Sequence, residues 1–543
     1  MDRPAHPDAL LWLRRPTALH LALLGLVAGL CAGCDSKPER TVRAQDATVL
    51  LVVLDALHAE HISHLGYDRA TTPNLDRLAA DGVSFSQAFS PAPYTRAGIP
   101  SILTGRLPDM HGMVRGERVL DPGEVTLAEL LAETGRPTRG AVANLNGSEL
   151  YGLDQGFDEF HNHLLAIDGR SADLVVRGAT YHQPKAEEYL PRMQAWLDED
   201  AGAPAFYYLH YLEPHSPYHP PTEFRERWLD PAYDGPFAAG DTADLVASVK
   251  GELEASEDDV EAVRALYDAT LAYADAQFGL VLDELERRGL YDDMLIVVTS
   301  DHGEALWQHG RWGHNDQLYD EMLHVPLIVK LPAGQEPRRR IESALVSTID
   351  IVPSLIGWCG LEPPSVELDG LSLDDLMFDT GREFDLDREL ILRTNEDEPD
   401  LGLRTVRDKT IVNRFPGGII QSLEHYDLRR DPDERRNIVD DHADLVTARA
   451  RLLKDYRERR AAVLAGRPEA ELTQAQMDVL EALGYTTSGE VQAVPGGDPH
   501  GDPHGDSNGD SNGDSNGGPQ GGDAAVEPDQ DAGEVPPSDA SGR

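Results

Sequence analysis

Unbroken apolar runs are the most informative pattern along this chain. MLIVVTSDHGE, Met294 to Glu304, opens with a run rich in β-branched residues and without polar alternation. Thr48 to Leu54 and Phe206 to Leu212 repeat that pattern. Such runs predict strands covered on both faces, as in a parallel α/β sheet. Between Leu212 and Met294 the period changes: Val263, Leu266, Leu271, Phe278, Val281 and Leu285 recur at helical spacing, which predicts a crossover helix packed on the sheet. A short helix is predicted over Leu75 to Ala80, after Thr72-Pro73-Asn74 and ahead of Gly82. Ala443 to Arg460 reads as a charged surface helix. Residues after about Ile341 read as a smaller α/β region built onto the main sheet.

The ends of these strands carry the candidate chemistry. Thr48–Leu54 runs into Asp55, Met294–Thr299 into Asp301-His302, and Phe206–Leu212 into Glu213-Pro214-His215. Ligands of open α/β sheets sit outside the carboxyl ends of the strands. Two separate buried strands that each finish in an aspartate favour one shared metal site over two unrelated caps. Asp with His suits Zn, Mn or Fe, whereas Asp alone suits Ca or Mg. Thr95 stands where a helix begins, with Pro91 and Pro93 holding the approach extended. Two roles are open to it: an N-cap, or a nucleophile at a helix N-terminus where free N–H groups favour an anion.

Composition narrows the partners. The 543 residues carry 48 Lys plus Arg against 96 Asp plus Glu, a formal charge of −48. That field disfavours nucleic acid and anionic lipid surfaces, and an anionic substrate needs a locally positive site. Arg3, Arg14 and Arg15 precede a short apolar segment, Leu19 to Leu30, which leads to Ala32-Gly33-Cys34. This is the pattern of a secretory signal, too short for a standard span. It resembles the end of a bacterial lipoprotein signal, with Cys34 as the acylated residue and Cys31 where leucine is usual. The expected organisation is a signal over 1–33, a polar linker over 34–45, a main domain over 46–487 with a subregion from 341, and a disordered Gly/Asp/Asn/Ser-rich tail over 488–543. The expected location is the cell envelope, with the membrane reached through a lipid anchor only.

Taken together, Asp55 after a strand, TPNLDRLAADGV, the Thr95 segment ending in LTGR and HG, GLDQGFDEF, SDHGE, GHNDQLYDE and YDLRRDPDERRNI resemble the sulfatase family of the alkaline phosphatase superfamily. The resemblance covers roughly residues 46 to 487, with the motifs in family order. It implies an alkaline-phosphatase-like fold, a mostly parallel central sheet with helices on both faces, plus the smaller C-terminal region. It also implies a metal-dependent ester hydrolase: Asp55, Thr95, Asp301 and His302 at a divalent metal (Mn, Zn or Ca), Thr95 as nucleophile, His215 and His314 at the transferring group or leaving alcohol, and Arg96 as an added charged contact. The substrate class is a small-molecule or glycan ester.

The chain departs from the family pattern at several positions. Most sulfatases carry Cys or Ser at the nucleophile position, matured to formylglycine, where this chain has Thr95, with Ala97 and Ile99 at the positions usual for Pro and Arg. Ala56 replaces a second aspartate, and Asn144 stands where a sulfate-gripping lysine is expected. These changes resemble superfamily branches with an unmodified Thr nucleophile and a Mn or Zn site. A phospho-alcohol transferase acting on an envelope glycan, and a catalytically silent binding lipoprotein, are the alternatives.

Overall fold

Every residue of Val49–Leu54 is buried, and successive side chains enter two different cores. Leu50, Val52 and Leu54 join a cluster with Tyr207, Leu209, Ile296 and Val298. Val49, Leu51 and Val53 join another with Phe206, Tyr208, Leu295 and Val297. The two-residue period of a strand places alternate side chains on opposite faces, so an apolar run without alternation feeds both. Each such side chain contributes about 1.5–3 kcal/mol by leaving water. The computed structural model describes residues 42–464, apart from 115–117, 163–173, 177–178, 182–184, 336, 339, 395–398 and 416–418. The expectations for the signal, for Cys34 and for the tail from Ser488 lie outside the described residues.

Among the described residues the main sheet has nine strands. Leu295–Thr299, Val49–Leu54, Phe206–Tyr211, Thr138–Val142 and Glu159–Asn162 lie side by side and parallel. On the other side of Leu295–Thr299, His324–Lys330 runs antiparallel, then Val83–Phe89 antiparallel to it. Ile341–Glu342 and Val346–Ser347 complete the edge, parallel to Val83–Phe89. Among the described strands of this sheet only His324–Lys330 is reversed, as expected of a mostly parallel sheet. One face is covered by the helix Glu257–Arg287, whose Leu266, Phe278 and Leu285 belong to the first cluster. The opposite face is covered by Thr95–Thr104 and Ile351–Cys359 through Ile99, Ile102, Val352 and Leu355.

The smaller C-terminal region is a four-stranded antiparallel sheet, Leu390–Arg393, Leu401–Arg404, Asp408–Phe415 and Ile419–Asp427. The helix Ala443–Leu464 packs on it, with Leu453 buried against Leu401, Leu403 and Val412. Lys409, fully buried, ties this sheet to the main domain through Asp320 (2.5 Å) and to Glu434 (2.7 Å). Such a buried cation is tolerable because both its carboxylate partners are in place. Among the described residues no helix is long and apolar enough to cross a membrane.

Candidate active site

Adjacent parallel strands bring their carboxyl ends together, and here those ends are Asp55 and Asp301. The turn beyond Asp55 is fixed by Asp301 and its neighbour. Ala56 N–H donates to Asp301 Oδ1 (3.2 Å) and Leu57 N–H to Ser300 Oγ (2.9 Å). Ala56 accepts a left-handed backbone, φ 59°, to make that turn. The same Asp301 Oδ1 takes the His302 N–H at 3.0 Å, so one carboxylate oxygen is spent on backbone and the other is left over.

Thr95 comes from the opposite direction, at the first turn of Thr95–Thr104. Tyr94, in extended backbone, is the N-cap residue, and no side chain caps the helix. The capping role considered for Thr95 is therefore not the one it plays. Its Oγ1 lies 3.2 Å from His302 Nε2 and 3.5 Å from Asn144 Nδ2. Gly98, one turn on, lets the helix approach: a Cβ there would meet the Asp301 carbonyl oxygen at 2.3 Å. Asn144 Nδ2 also donates to Asp55 Oδ2 at 2.5 Å, and His210 Nε2 lies 3.3 Å from the same oxygen.

The imidazoles are arranged in a row. The rings of His302 and His314 are 4.1 Å apart between centroids, and those of His314 and His215 are 4.9 Å apart. His302 Nδ1–H donates to Gly303 O (2.8 Å) and His215 Nδ1–H to Ser216 O (2.5 Å). In the neutral form each then carries its lone pair on Nε2. His314 Nδ1 faces Glu304 Oε2 at 2.7 Å, and Tyr218 OH donates to Glu304 Oε1 at 2.9 Å.

Burial decides where the protons sit. It pushes Glu304 up to about 7, against the charges of His215 and His302 and the Tyr218 hydrogen bond. It pushes His314 down to about 3, with His302 acting in the same direction. Between those values the shared proton belongs to the Glu304 carboxyl, and the pair is a neutral hydrogen bond instead of an ion pair. His314 then carries its own proton on Nε2, which has no partner among the described residues. Asp55 is the opposite case: burial raises its pKa, but His215, His210 and His302 outweigh that and hold it below the ordinary value. Burial also lowers the His302 pKa, and the charges of Asp301 and Asp55 more than reverse it.

The donor set fits a divalent cation. Asp55, Asp301 and His302 each offer a ligand atom within 4.8 Å of one another, and all three are buried. Asp55 Oδ1 and Asp301 Oδ2 have no hydrogen-bond partner among the described residues. Two buried, unpaired carboxylate oxygens facing one imidazole carry a large desolvation cost that a bound cation offsets.

Thus Asp55, Thr95, Asp301 and His302 come together, with His314 and then His215 beside them. Arg96 is buried, with its guanidinium 5.3 Å above the Tyr151 ring and no ion pair among the described residues; its Nη1 is unpartnered. His309, close to His314 in the sequence, is held by Glu321 (2.7 Å) and stacked on Tyr319. Two contributors were not singled out from the sequence, Glu304 and His210, and Asn144 was noted only as standing where a lysine is expected. Glu304 had a signal, two residues beyond His302 in the same motif. His210 had none, because it lies inside an apolar strand run.

Comparison with known proteins identifies the family. The sulfatase family model matches residues 47–361, and the model of the N-sulphoglucosamine sulphohydrolase C-terminal region matches 308–460. An uncharacterised sulfatase of Escherichia coli (strain K12), YidJ, is 26% identical, with 72% of this chain and 82% of that protein covered. Arylsulfatase K of Homo sapiens is also 26% identical, over 79% of this chain and 84% of that protein. Among solved structures, a phosphonate monoester hydrolase of Agrobacterium radiobacter shares the fold with a TM-score of 0.60 at 23% identity, covering 76% of this chain and 96% of that one. From the strand-end aspartates to the C-terminal sheet, this chain belongs to the sulfatase family, within the alkaline phosphatase superfamily of ester hydrolases.

Proposed function

We propose that the protein hydrolyses sulfate or phosphate esters with Thr95 as an unmodified nucleophile. The observation that carries this reading is the position of Thr95 Oγ1, 3.2 Å from His302 Nε2 in a helix whose cap it does not serve. Asp55, Asp301 and His302 are the residues that would hold a divalent ion. Such an ion supplies Lewis-acid chemistry, making the threonine hydroxyl acidic and offsetting charge on the ester oxygens.

Thr95 Oγ1, its hydroxyl proton released to solvent, forms a bond to sulfur or phosphorus as the bond to the leaving oxygen breaks. Asn144 and His210 hold Asp55 in place through its Oδ2. The leaving oxygen takes the proton of His314 Nε2, and Glu304 passes its own proton to His314 Nδ1, so the pair acts as one acid. Water then attacks sulfur or phosphorus as its bond to Thr95 Oγ1 breaks; the threonine oxygen takes a proton back from solvent, the inorganic anion leaves, and solvent returns the proton to Glu304. His215, with its Nδ1–H spent on Ser216, has a lone pair on Nε2 to receive the proton of that water. Arg96 carries an unpartnered, buried N–H beside the nucleophile in sequence, which suits it to an anionic oxygen of the substrate. The signal-like segment ending at Cys34 supports placing this activity in the cell envelope, tethered by an acylated cysteine.

A panel of aryl sulfate, phosphate monoester and phosphodiester tests the reading. Turnover of at least one class should fall to background after chelation and in Thr95→Ala. Wild-type rates in Thr95→Ala would refute it.

A further inference from the structure

A second set of metal-ligating side chains lies outside the site just described. His58, Glu60 and His324 each offer a ligand atom within 4.8 Å of the others, and none of them belongs to the Asp55–Asp301–His302 set. The sequence gives no sign of it, because His58 and Glu60 follow the first strand and His324 opens the reversed one. That reversal is what brings them together: His324–Lys330 runs antiparallel to Leu295–Thr299, so its first residue lies at the end of the sheet where the parallel strands finish.

The two imidazoles have the form and surroundings of ligands. Their centroids are 6.4 Å apart with the rings at 72°; His58 is buried and His324 half-buried. His324 stacks on Phe89 and donates its Nε2–H to the Ser86 carbonyl at 3.0 Å, which leaves the lone pair on Nδ1. Imidazole ligands commonly donate their other nitrogen to a backbone carbonyl in this way, which fixes tautomer and ring orientation. His58 is only 2% exposed, and its Nδ1 has no hydrogen-bond partner among the described residues. Its Nε2 is 4.0 Å from Glu60 Oε2, a separation that is long for a hydrogen bond. A buried imidazole nitrogen without a partner carries a desolvation cost that a bound cation would offset.

Charge around the cluster favours a cation. Burial drives His58 well below its ordinary pKa and His324 down to about 4, so both are neutral at pH 7, the form that ligates. The opposing groups are carboxylates: Asp320 acts on both rings, and Asp433, Asp320 and Glu321 act on Glu60. His61 lies 5.7 Å from His58 between ring centroids but is bonded to Asp268. The nearby cations Arg404 and Lys409 are themselves paired with Asp320. Glu60, two-thirds exposed, is free to swing onto an ion from the solvent side.

We propose that His58, Glu60 and His324 form a second divalent transition-metal site, suited to zinc, cobalt or nickel and open to solvent at its remaining positions. Two imidazoles and one carboxylate are a donor set that these ions accept, whereas calcium and magnesium prefer oxygen alone. An ion there joins the segment that follows Asp55 to the start of His324–Lys330, bracing the turn on which the catalytic aspartate stands.

The test is metal stoichiometry on the full-length chain, stripped with a chelator and reloaded with cobalt(II), read by elemental analysis and by the cobalt visible spectrum. Wild type should retain two ions per chain, and Asp301→Asn should retain one, with an imidazole-type spectrum. Adding Glu60→Ala to Asp301→Asn should weaken that remaining ion by more than roughly 10-fold, the lower bound for losing even an outer-shell partner. Glu60 is exposed, so this variant folds; His324→Gln should do the same, and thermal stabilisation by cobalt should vanish with it. A wild-type chain that retains one ion, lost in Asp301→Asn and indifferent to Glu60→Ala, overturns the second site while leaving the first intact. Retention of one ion that is lost in Glu60→Ala but not in Asp301→Asn supports the second site and counts against the first.

Discussion

A methyl group on Gly98 would stand 2.3 Å from the carbonyl oxygen of Asp301. The helix that carries Thr95 therefore reaches the strand that carries Asp301 only because residue 98 has no side chain. Gly98→Ala should force the two apart and cost about 1–3 kcal/mol of stability, the usual range for overpacking. A shift of about 1 Å between nucleophile and metal ligands is enough for a roughly 100-fold loss of rate. Rate measurements and urea unfolding of this variant check both effects. If both match wild type, the close approach is not what positions Thr95.

Glu304 should make the metal-stripped protein less stable as pH rises. Its folded pKa is pushed up to about 7 from an ordinary 4.5, so the folded state binds more protons than the unfolded state between those values. The stabilising contribution is complete below 4.5 and is lost as pH climbs through about 7. Glu304→Gln is a reference that does not titrate. Wild type should lose up to about 3 kcal/mol relative to it between about pH 5 and pH 8. Urea titrations of chelated protein across that range give the answer; a gap that stays constant with pH would mean Glu304 is already ionised in the fold.

The fold was largely legible in the sequence and the site only in part, for a physical reason. Runs such as Val49–Leu54 report burial on both faces directly, because every position must be apolar. Strand-end residues then follow by topology, which is how Asp55 and Asp301 were found. Groups that meet through reversed or long-range packing leave no local trace. His210 is one imidazole among aromatics in a buried strand, yet it contacts Asp55. His58 and His324 are 266 positions apart in the numbering, and only the reversed strand joins them. Thr95 kept two readings until Tyr94 was seen to be the cap residue.

His314 should matter most when the leaving alcohol is poor. As the donor of the proton, it is needed for alkyl esters and nearly dispensable for a nitrophenyl ester, whose oxygen leaves without help. His314→Ala should lower kcat on an alkyl ester by about 100- to 10,000-fold, with a much smaller loss on the aryl ester. Equal losses on both substrates would assign His314 to binding.

Cys34→Ser should abolish fatty-acid labelling when the full chain is expressed in a bacterial host. Acyl chains contribute about 0.8 kcal/mol per buried methylene, so the variant should also leave the membrane fraction. Labelling that persists in Cys34→Ser would place the anchor elsewhere.

The identity of the nucleophile can be read directly from the covalent intermediate. Turnover of the best ester in the panel, quenched in acid and digested, should yield a peptide spanning Thr95 with a sulfo or phospho adduct on that threonine, absent when Asp301→Asn is treated alike. An adduct mapped to another residue during full turnover, with Thr95 unmodified, would contradict the account.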